Sequence, residues 1–374
     1  MKRRVAALFL GETLLIPHLF PIVEQLAEIE PELPIDLWVS TSVHEDLLTA
    51  WTAPLKRVRV RRAPGFRAIA GGAEGNMPQL PGKLPMLLRL LPHLARVPVV
   101  LCAEQTSLWL PRLFPWLPTR FVKTSHGVGS MSARDDRRRR AAFHTLVPSE
   151  QERATYLARG MPAERIVATG YVKAGFRQRT PASTLFAEKR PILLYTPHWQ
   201  PHRSSWPAWG ERVVAMLAAQ RRWNVILAPH QRLVERAPEV RSVLKAVAHL
   251  PHVHCDLDSF ATVDGSYTAA ADLYLGDTSS QVIEFLARPR PVVFLNPSAR
   301  DWRTDASYSM WRAGEVVSDL AELEPAIERA GQGHPAFVEP QREIAAAMGD
   351  ASGAGARRAA EEVLRVLAMP RRAR

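Results

Sequence analysis

The stretch from residue 271 to residue 298 constrains the fold more than any other, because two short apolar segments flank a polar turn and a helix-like segment. Residues 273–275 and 291–295 are predicted strands, and residues 281–287 are a predicted helix. A strand, a helix and a second strand in this order form a βαβ unit, from which parallel sheets are built. The chain is therefore predicted to be an α/β protein.

The polar turn of this unit carries hydroxyl groups where the predicted helix begins. Thr278 and Gln281 have capping-box spacing, which predicts a helix start at this point. Free backbone N–H groups at a helix start, together with the hydroxyls of Thr278, Ser279 and Ser280, favour binding of an anion such as a phosphate. The alternative is an ordinary crossover in which these side chains only cap the helix.

Strand-like and helix-like segments alternate along the whole chain and fall into two halves, separated by a polar, charged stretch at residues 173–190. Such alternation predicts parallel sheets with helices on both faces, which bind ligands outside the carboxyl ends of the strands. We therefore predict two Rossmann-like domains, residues 1–175 and 176–374, whose parallel sheets face a central cleft. The other predicted strands are residues 5–10, 35–39, 58–61, 97–103, 121–125, 146–148, 166–170, 192–196, 224–228 and 252–255; residues 65–82 are a predicted loop, and residues 84–94 and 340–367 are predicted helical.

Composition limits the class of protein. Hydrophobic residues make up 47% of the chain and charged residues 23%, which is typical of a globular protein. The two cysteines, Cys102 and Cys255, are too few for a disulfide framework or a metal-ligand cluster and indicate a reducing compartment. The apolar start resembles a signal peptide, but Gly11 and Glu12 interrupt it, so it is predicted as a first buried strand. No apolar run reaches about 18 residues, which predicts a cytoplasmic protein without a membrane span.

The net charge of +12, from 49 Lys and Arg against 37 Asp and Glu, indicates an anionic partner such as a nucleotide, a lipid headgroup or a nucleic acid. Part of the excess lies in clusters at residues 56–62, 137–140 and 371–374. A solvated basic surface is the simpler explanation of each cluster taken alone. Zinc-finger spacing, an aromatic-interleaved strand pattern and a helix-turn-helix are all missing from the sequence, so no nucleic-acid partner is expected.

Polar loops that could carry chemistry follow several predicted strands. The first contains His126, with Gly127, Gly129 and Ser130 after it. The glycines allow the backbone to turn sharply and to approach a ligand closely. A histidine at the carboxyl end of a strand can accept a proton from a hydroxyl group near neutral pH. The alternative is a purely structural histidine.

Two further loops carry histidines. His198 and His202 are four residues apart, but the neighbouring prolines disfavour the helix that would place them on one face, so no metal site is predicted. We expect the His198 loop to contact a phosphate or substrate. His230 and Arg232 follow another predicted strand and together can neutralise a diphosphate. The alternative for this loop is a surface turn with incidental basic residues.

The fourth loop begins with Asp277 and continues with Thr278, Ser279 and Ser280. Glu284 lies four residues beyond Ser280 and therefore on the same face of the predicted helix. Its carboxylate can accept hydrogen bonds from a ribose or sugar hydroxyl.

In their order along residues 120–298, these short motifs resemble the CDP-glycerol glycerophosphotransferase family, whose members make teichoic acids and related capsule or surface polymers. That resemblance implies a GT-B-type fold of two Rossmann-like domains. The motifs that carry it are His126-Gly127, Gly170-Tyr171-Val172-Lys173, Tyr195-Thr196-Pro197-His198-Trp199, Pro229-His230 and Asp277-Thr278-Ser279-Ser280.

The resemblance implies that His126 is the general base for an acceptor hydroxyl, and that His230, Ser279 and Ser280 hold the diphosphate of a CDP-linked donor. Arg232 and Glu284 are added on chemical grounds as further diphosphate and hydroxyl contacts. His198, Asp277 and Thr278 are also predicted to bind the donor, and Gly127, Gly129 and Ser130 are the predicted acceptor loop. The implied reaction moves glycerol phosphate to a lipid-linked or polymer acceptor and releases CMP. It requires no cofactor and no metal, because the helix start and cationic side chains stabilise the leaving group.

Three alternatives remain open. A UDP-N-acetylglucosamine 2-epimerase-like enzyme shares the fold, but it removes a proton from carbon and should have acidic residues beside the histidine, which residues 127–130 do not supply. A GT-B glycosyltransferase is the second alternative. The third is an inactive, basic membrane-surface protein, suggested by the Leu- and Arg-rich residues 84–96, which could instead be a core helix. An enzyme extending a lipid-linked acceptor would also dock on the inner face of the cytoplasmic membrane.

Overall fold

The computed structural model describes residues 3–69, 80–128, 138–182 and 184–370. The chain forms two compact units: Met1–Gln178 with Ala347–Arg374, and Arg179–Ala346. Each unit contains one sheet of parallel strands with helices between them. The predicted α/β class with two Rossmann-like sheets is therefore confirmed.

The sheet of the first unit follows the Rossmann order. Its strands within the described residues are β1 (Val5–Phe9), β2 (Ile35–Thr41), β3 (Val58–Arg67), β4 (Val99–Cys102), β5 (Arg120–Thr124), β6 (His144–Val147) and β7 (Ile166–Ala168). They are arranged β3-β2-β1-β4-β5-β6-β7, and every neighbouring pair is parallel. The helices that precede the second unit are α1 (Ile16–Ile29), α2 (Ser42–Thr52), α3 (Lys83–Leu94), α4 (Trp109–Leu113) and α5 (Glu150–Ala158).

Strand β3 is longer than the predicted strand 58–61 and includes the start of the predicted loop 65–82. It is an edge strand, so Pro64 and Gly65 are tolerated within it because one side of an edge strand has no ladder to maintain. Gly65 has a φ of +97°, and pairing with β2 shifts register between Val39 and Thr41.

Helix α3 buries one face in the core of the first unit. Met86, Leu87, Leu90 and Leu94 are at most 1% exposed and pack against strands β1, β4 and β5, while Leu88 is 43% exposed. Of the two interpretations of residues 84–96, a membrane-surface helix or a core helix, the structure therefore shows the core helix. No helix of the described ranges is long and apolar enough to cross a membrane.

The second unit repeats the same strand order. Its strands within the described residues are β8 (Ile192–Thr196), β9 (Asn224–Leu227), β10 (Val253–Cys255), β11 (Leu273–Gly276), β12 (Val292–Leu295) and β13 (Glu315–Val317). They are arranged β10-β9-β8-β11-β12-β13, again all parallel. The helices are α6 (Trp206–Ala219), α7 (Gln231–Arg236), α8 (Glu239–Val247), α9 (Ala261–Asp264), α10 (Ser266–Ala270), α11 (Ser280–Phe285), α12 (Leu323–Gly333) and α13 (Val338–Ala345).

The last helix, α14 (Ala354–Ala368), packs on α1 in the first unit. The prediction placed all of 176–374 in the second domain and drew one helical region over 340–367. Instead, the helical path is interrupted at Gly349 (φ +61°) and Gly353 (φ +93°), conformations that glycine adopts easily.

Polar contacts hold α14 in the first unit. The Arg120 guanidinium donates to the carbonyls of Val366 at 2.7 Å and Met369 at 2.9 Å, which are acceptors at the helix end. His144 Nδ1 lies 2.5 Å from the Glu362 carboxylate. The C-terminal segment therefore completes the first unit, not the second.

Candidate functional site

The carboxyl edge of the second sheet brings together the polar loops that follow β8, β9 and β11. These strands are neighbours in the order β9-β8-β11, and the direction of the chain across the sheet reverses at β8. Ligands of open α/β sheets bind at such a switch point. His198 follows β8, His230 follows β9, and Asp277 to Ser280 follow β11.

His198, Trp199 and His230 form an aromatic cluster at this edge. The ring centroids of His198 and His230 are 5.9 Å apart, and those of Trp199 and His230 are 6.1 Å apart. The guanidinium carbons of Arg232 and Arg236 lie 5.1 Å and 4.5 Å from the Trp199 ring centroid. Two guanidinium groups and two imidazole rings therefore lie around Trp199. Trp199 and Arg236 were not among the predicted site residues.

Both histidines are neutral hydrogen-bond donors at neutral pH. The pKa of His198 is lowered to about 4 and that of His230 to about 3, mainly by burial and to a smaller extent by neighbouring basic side chains. His198 Nδ1 accepts the backbone N–H of Gln200 at 3.1 Å, and His230 Nδ1 accepts that of Arg232 at 3.2 Å, capping α7. Because Nδ1 is the acceptor, the proton of each neutral ring lies on Nε2.

Asp277 holds the loop that carries His198. Its carboxylate is fully buried and accepts the backbone N–H groups of His198 at 2.8 Å and Ser205 at 3.0 Å. Burial raises its pKa to about 7, although these hydrogen bonds act in the opposite direction. The contacts make Asp277 a positioning residue, a role different from the predicted direct contact with the donor.

Thr278, Ser279 and Ser280, which follow Asp277, differ in burial and in hydrogen bonding. Ser279, and not Thr278, is the N-cap of α11, since its Oγ accepts the backbone N–H of Gln281 at 3.2 Å. Thr278 is buried, and its Oγ1 has no hydrogen-bond partner in the part of the chain that the structure describes. Ser280 is exposed, and Glu284, one turn later, is half-buried.

His126 lies directly after β5, at the carboxyl edge of the first sheet, as predicted. It is half-buried, and Gly127 adopts the left-handed region with φ +81°. Burial is the largest cause of the lowered pKa of His18, and Lys173 and His126 add to it. The predicted acceptor-loop residues Gly129 and Ser130 lie outside the described residues.

Glu104 is a candidate that the sequence analysis missed. It lies two residues after the end of β4, is 6% exposed, and accepts a hydrogen bond from Lys83 Nζ at 3.2 Å. Burial raises the pKa of its carboxyl group, with Lys83 acting against the shift and Glu12 adding to it. Gly11 makes room for it, since a Cβ there would lie 1.2 Å from Glu104 Oε1. An acidic residue directly after the predicted strand 97–103 was the available signal.

The described ranges contain no group of three or more His, Cys, Asp or Glu side chains arranged to hold a metal ion. No family model matches the sequence, and no curated protein sequence matches it.

Solved structures match the chain along most of its length. The S. aureus protein MnaA, solved with UDP, has a TM-score of 0.61 and 13% identity, covering 94% of this chain and 94% of its own. The UDP-GlcNAc 2-epimerase of Neisseria meningitidis, bound to UDP-GlcNAc, has a TM-score of 0.57 and 11% identity, covering 97% and 99%. The Anabaena protein HepE, in complex with UDP and glucose, has a TM-score of 0.53 and 13% identity, covering 94% and 97%.

These similarities show that the chain has the GT-B-like fold of UDP-GlcNAc 2-epimerases. The resemblance to CDP-glycerol glycerophosphotransferases is wrong, because the structural neighbours include several UDP-GlcNAc 2-epimerases and no family model supports it. The glycerol phosphate donor and the teichoic acid or capsule role that the resemblance implied are withdrawn with it. Its motifs were two to five residues long and described loops that a nucleotide-binding sheet requires for any phosphate ligand.

Proposed function

We propose that the protein is an enzyme acting on a UDP-linked sugar, with a reaction of the 2-epimerase type. The observation that carries this proposal is the pair of neutral imidazole donors, His198 and His230, beside Arg232 at the carboxyl edge of the second sheet. Solved structures with the same fold are described with UDP and UDP-GlcNAc, which supports a uridine nucleotide as the ligand.

Each group has a distinct task in holding a nucleotide diphosphate. The two Nε2–H groups donate to phosphate oxygens, and the Arg232 guanidinium supplies positive charge and further N–H donors. Backbone N–H groups at Ser279 and Ser280 add donors at the start of α11. Glu284 accepts hydrogen bonds from ribose hydroxyls. Asp277 fixes the loop that presents His198, so the donors are placed before the ligand arrives.

Inversion at C2 of a sugar requires the C2–H bond to break and a proton to return on the other face. When UDP is eliminated, a base takes the C2 proton, the C–H electron pair forms the C1=C2 bond, and the C1–O bond to the diphosphate breaks. Glu104 suits the role of the base, because burial raises the pKa of its carboxyl group toward the working pH. His126 is the second acid–base candidate.

The test is to incubate the protein with a panel of UDP-sugars, UDP-GlcNAc first, in D2O and to follow C2 by NMR. We expect deuterium at C2 and the C2 epimer. Glu104→Gln should abolish exchange and retain UDP binding, whereas the exposed control Glu32→Gln should behave as wild type. Absence of deuterium and of epimer with every UDP-sugar would contradict the reaction.

A glycosyltransferase is the second candidate, because His126 lies just after β5 at the carboxyl edge of the first sheet and an imidazole can act as the base for a hydroxyl group. The structure of HepE, which is described in complex with UDP and glucose, also supports the glycosyltransferase candidate. The same samples separate the two reactions. A transferase releases UDP only when an acceptor alcohol is added, and it leaves C2 without deuterium.

A further inference from the structure

The exposed apolar side chains of the described residues are concentrated in one part of the first unit. Six large hydrophobic side chains are 38% exposed or more, and five of them lie between residues 80 and 116. These five are Leu80, Leu84, Leu88, Leu113 and Trp116. Single exposed apolar side chains are normal on a protein surface, but a concentration of them indicates a place where another surface binds.

Helices α3 and α4 carry three of these side chains. The core packing of α3 leaves a second face of the helix in solvent, and Leu84 and Leu88, four residues apart, lie on that face at 41% and 43% exposure. Leu113 is the last residue of α4, which packs on α3, and it is 46% exposed. The exposed leucines of the two helices therefore belong to the same side of the first unit.

Trp116 is the most exposed of the set, at 66%, and is nevertheless held in place. Its ring lies edge-on to that of Phe114, with centroids 5.5 Å apart. Thr119 Oγ1 donates to the carbonyl of Leu94 at 2.8 Å, which ties the segment containing Trp116 to the end of α3. An exposed indole fixed beside exposed leucines forms a surface that is ready before a partner arrives.

Arginines without an ion-pair partner accompany the apolar side chains. Arg89, Arg96 and Arg112 are exposed, and none of them pairs with a carboxylate of another described residue. Other surface arginines of this unit do pair, such as Arg62 with Glu45 at 2.8 Å. The charge of the first three is therefore available to an anionic partner.

The composition of this side of the unit favours lipid over protein as that partner. Residues 80–124 contain six basic residues and one acidic residue, Glu104, which is buried. Segments 83–98 and 109–118 contain no serine, threonine, asparagine or glutamine. A protein interface carries about one hydrogen bond per 100–200 Å², which needs such groups. A layer of phosphate headgroups over acyl chains needs only cations and apolar side chains.

We propose that this side of the first unit docks on an anionic phospholipid bilayer. The leucines and the indole enter the boundary between headgroups and acyl chains, where tryptophan is enriched, and the arginines pair with lipid phosphates. The inference goes beyond the reaction on a UDP-sugar and does not depend on it. The docking residues, called the α3–α4 surface, are Leu84, Leu88, Arg89, Arg96, Arg112, Leu113 and Trp116.

Vesicle flotation tests the proposal with phosphatidylcholine alone and with an equimolar mixture of phosphatidylcholine and phosphatidylglycerol. We expect wild type to float with the mixed vesicles, to bind phosphatidylcholine much more weakly, and to be released as the salt concentration rises. The double variant Arg89→Gln/Arg96→Gln should bind the mixed vesicles about 30-fold more weakly, the factor expected for two basic residues near an anionic surface. Wild type that does not float with the mixed vesicles would overturn the proposal.

The matched control is the double variant Arg212→Gln/Arg288→Gln, which removes the same charge from exposed positions of the second unit. It should float with the mixed vesicles as wild type does. Equal weakening by the two double variants would overturn the proposal, because binding would then depend on net charge and not on the α3–α4 surface.

Trp116→Ala tests the apolar part of the surface. Because the side chain is 66% exposed, the thermal midpoint should not change, whereas binding to the mixed vesicles should fall about tenfold, the factor for one apolar side chain leaving water. Unchanged binding would overturn insertion into the bilayer. Sedimentation velocity without lipid tests a second copy as the partner. A wild-type dimer that Trp116→Ala dissociates would assign the surface to self-association and overturn lipid docking.

Discussion

At the scale of single residues, His230 combines three properties that one side chain rarely has together. It caps α7 through Nδ1, it is buried enough to stay neutral, and its ring lies 5.9 Å from that of His198. The cap fixes the tautomer, and the tautomer places the N–H donor on Nε2. The same neutrality makes the folded state sensitive to acid.

Replacing His230 with Asn should reduce acid sensitivity. The pKa of His230 is about 3 in the folded protein against an ordinary 6.5, so between these values the unfolded chain holds the additional proton and stability is lost as the pH falls. The variant keeps an N-cap acceptor but does not titrate there, so the slope of unfolding free energy against pH should fall by about 1.4 kcal/mol per pH unit near pH 5. Urea unfolding at several pH values measures this. His249→Asn, at an exposed position, should keep the wild-type slope.

Asp277 should affect the pH dependence of the unfolding free energy in the opposite direction to His230. Its folded pKa of about 7 lies above the ordinary 3.8, so its contribution to stability is present below about pH 4 and is lost as the pH rises through 7. The difference in unfolding free energy between wild type and Asp277→Asn should therefore shrink over this range. The Asn amide also turns N–H groups toward a backbone donor, so UDP affinity should fall about tenfold. If the difference in unfolding free energy between wild type and Asp277→Asn grew with pH, the raised pKa of Asp277 would be contradicted.

The position of His198, His230 and Arg232 at one edge of the second sheet could be predicted, because each lies in a loop that follows an apolar strand and the carboxyl ends of parallel strands meet at one edge. The role of Asp277 could not, since burial and the two backbone N–H groups that it accepts come from chain segments about 75 residues away. Glu104 was missed for a similar reason. Burial is the main cause of its raised pKa, and the residues around its carboxyl group, Lys83, Gly11 and Glu12, are distant from it in sequence.

At the scale of elements, the buried central strands were predicted close to their observed bounds, because continuous apolar runs are typical of parallel strands covered on both faces. Of the four edge strands, β7 and β10 were predicted to within two residues, whereas β3 extends beyond the predicted residues 58–61 and β13 was not predicted. β3 contains exposed arginines as well as Pro64 and Gly65, and β13 (Glu315–Val317) has only three residues. Edge strands lack the second neighbour that imposes an apolar pattern.

Helix α3 provides a matched test of its orientation. Leu90 is fully buried in the core, whereas Leu88, two residues earlier, is 43% exposed. Leu90→Ala should lower the free energy of unfolding by about 2–5 kcal/mol, and Leu88→Ala should change it by less than about 0.5 kcal/mol. Urea denaturation of the two variants distinguishes them. Equal losses would mean that α3 does not bury the Leu90 face.

At the scale of the whole molecule, sequence reasoning recovered two parallel-sheet units but assigned the C-terminal segment to the wrong one. The apolar pattern of α14 shows that one face is buried, but it does not show against which sheet. Contacts distant in sequence decide that, such as Arg120 with the carbonyl of Val366.

Arg120→Gln should therefore destabilise the first unit, although it lies about 250 residues from the helix that it holds. Loss of charge-assisted hydrogen bonds to the end of α14 should lower the free energy of unfolding by about 1–3 kcal/mol. Arg96→Gln, an exposed control in the same unit, should have little effect. Removal of residues 350–374 should lower the thermal midpoint further, measured by calorimetry. An unchanged midpoint would contradict the assignment of α14 to this unit.

The most direct test of the central claim is calorimetric titration of UDP, CDP and UMP into wild type, His230→Asn and His249→Asn. A diphosphate site built on His198, His230 and Arg232 predicts that wild type and His249→Asn bind UDP at least tenfold more tightly than UMP and more tightly than CDP. His230→Asn should lose most of the preference for UDP over UMP. Equal binding of UDP and UMP, tighter binding of CDP, or an unchanged preference in His230→Asn would contradict a UDP site at this edge of the second sheet.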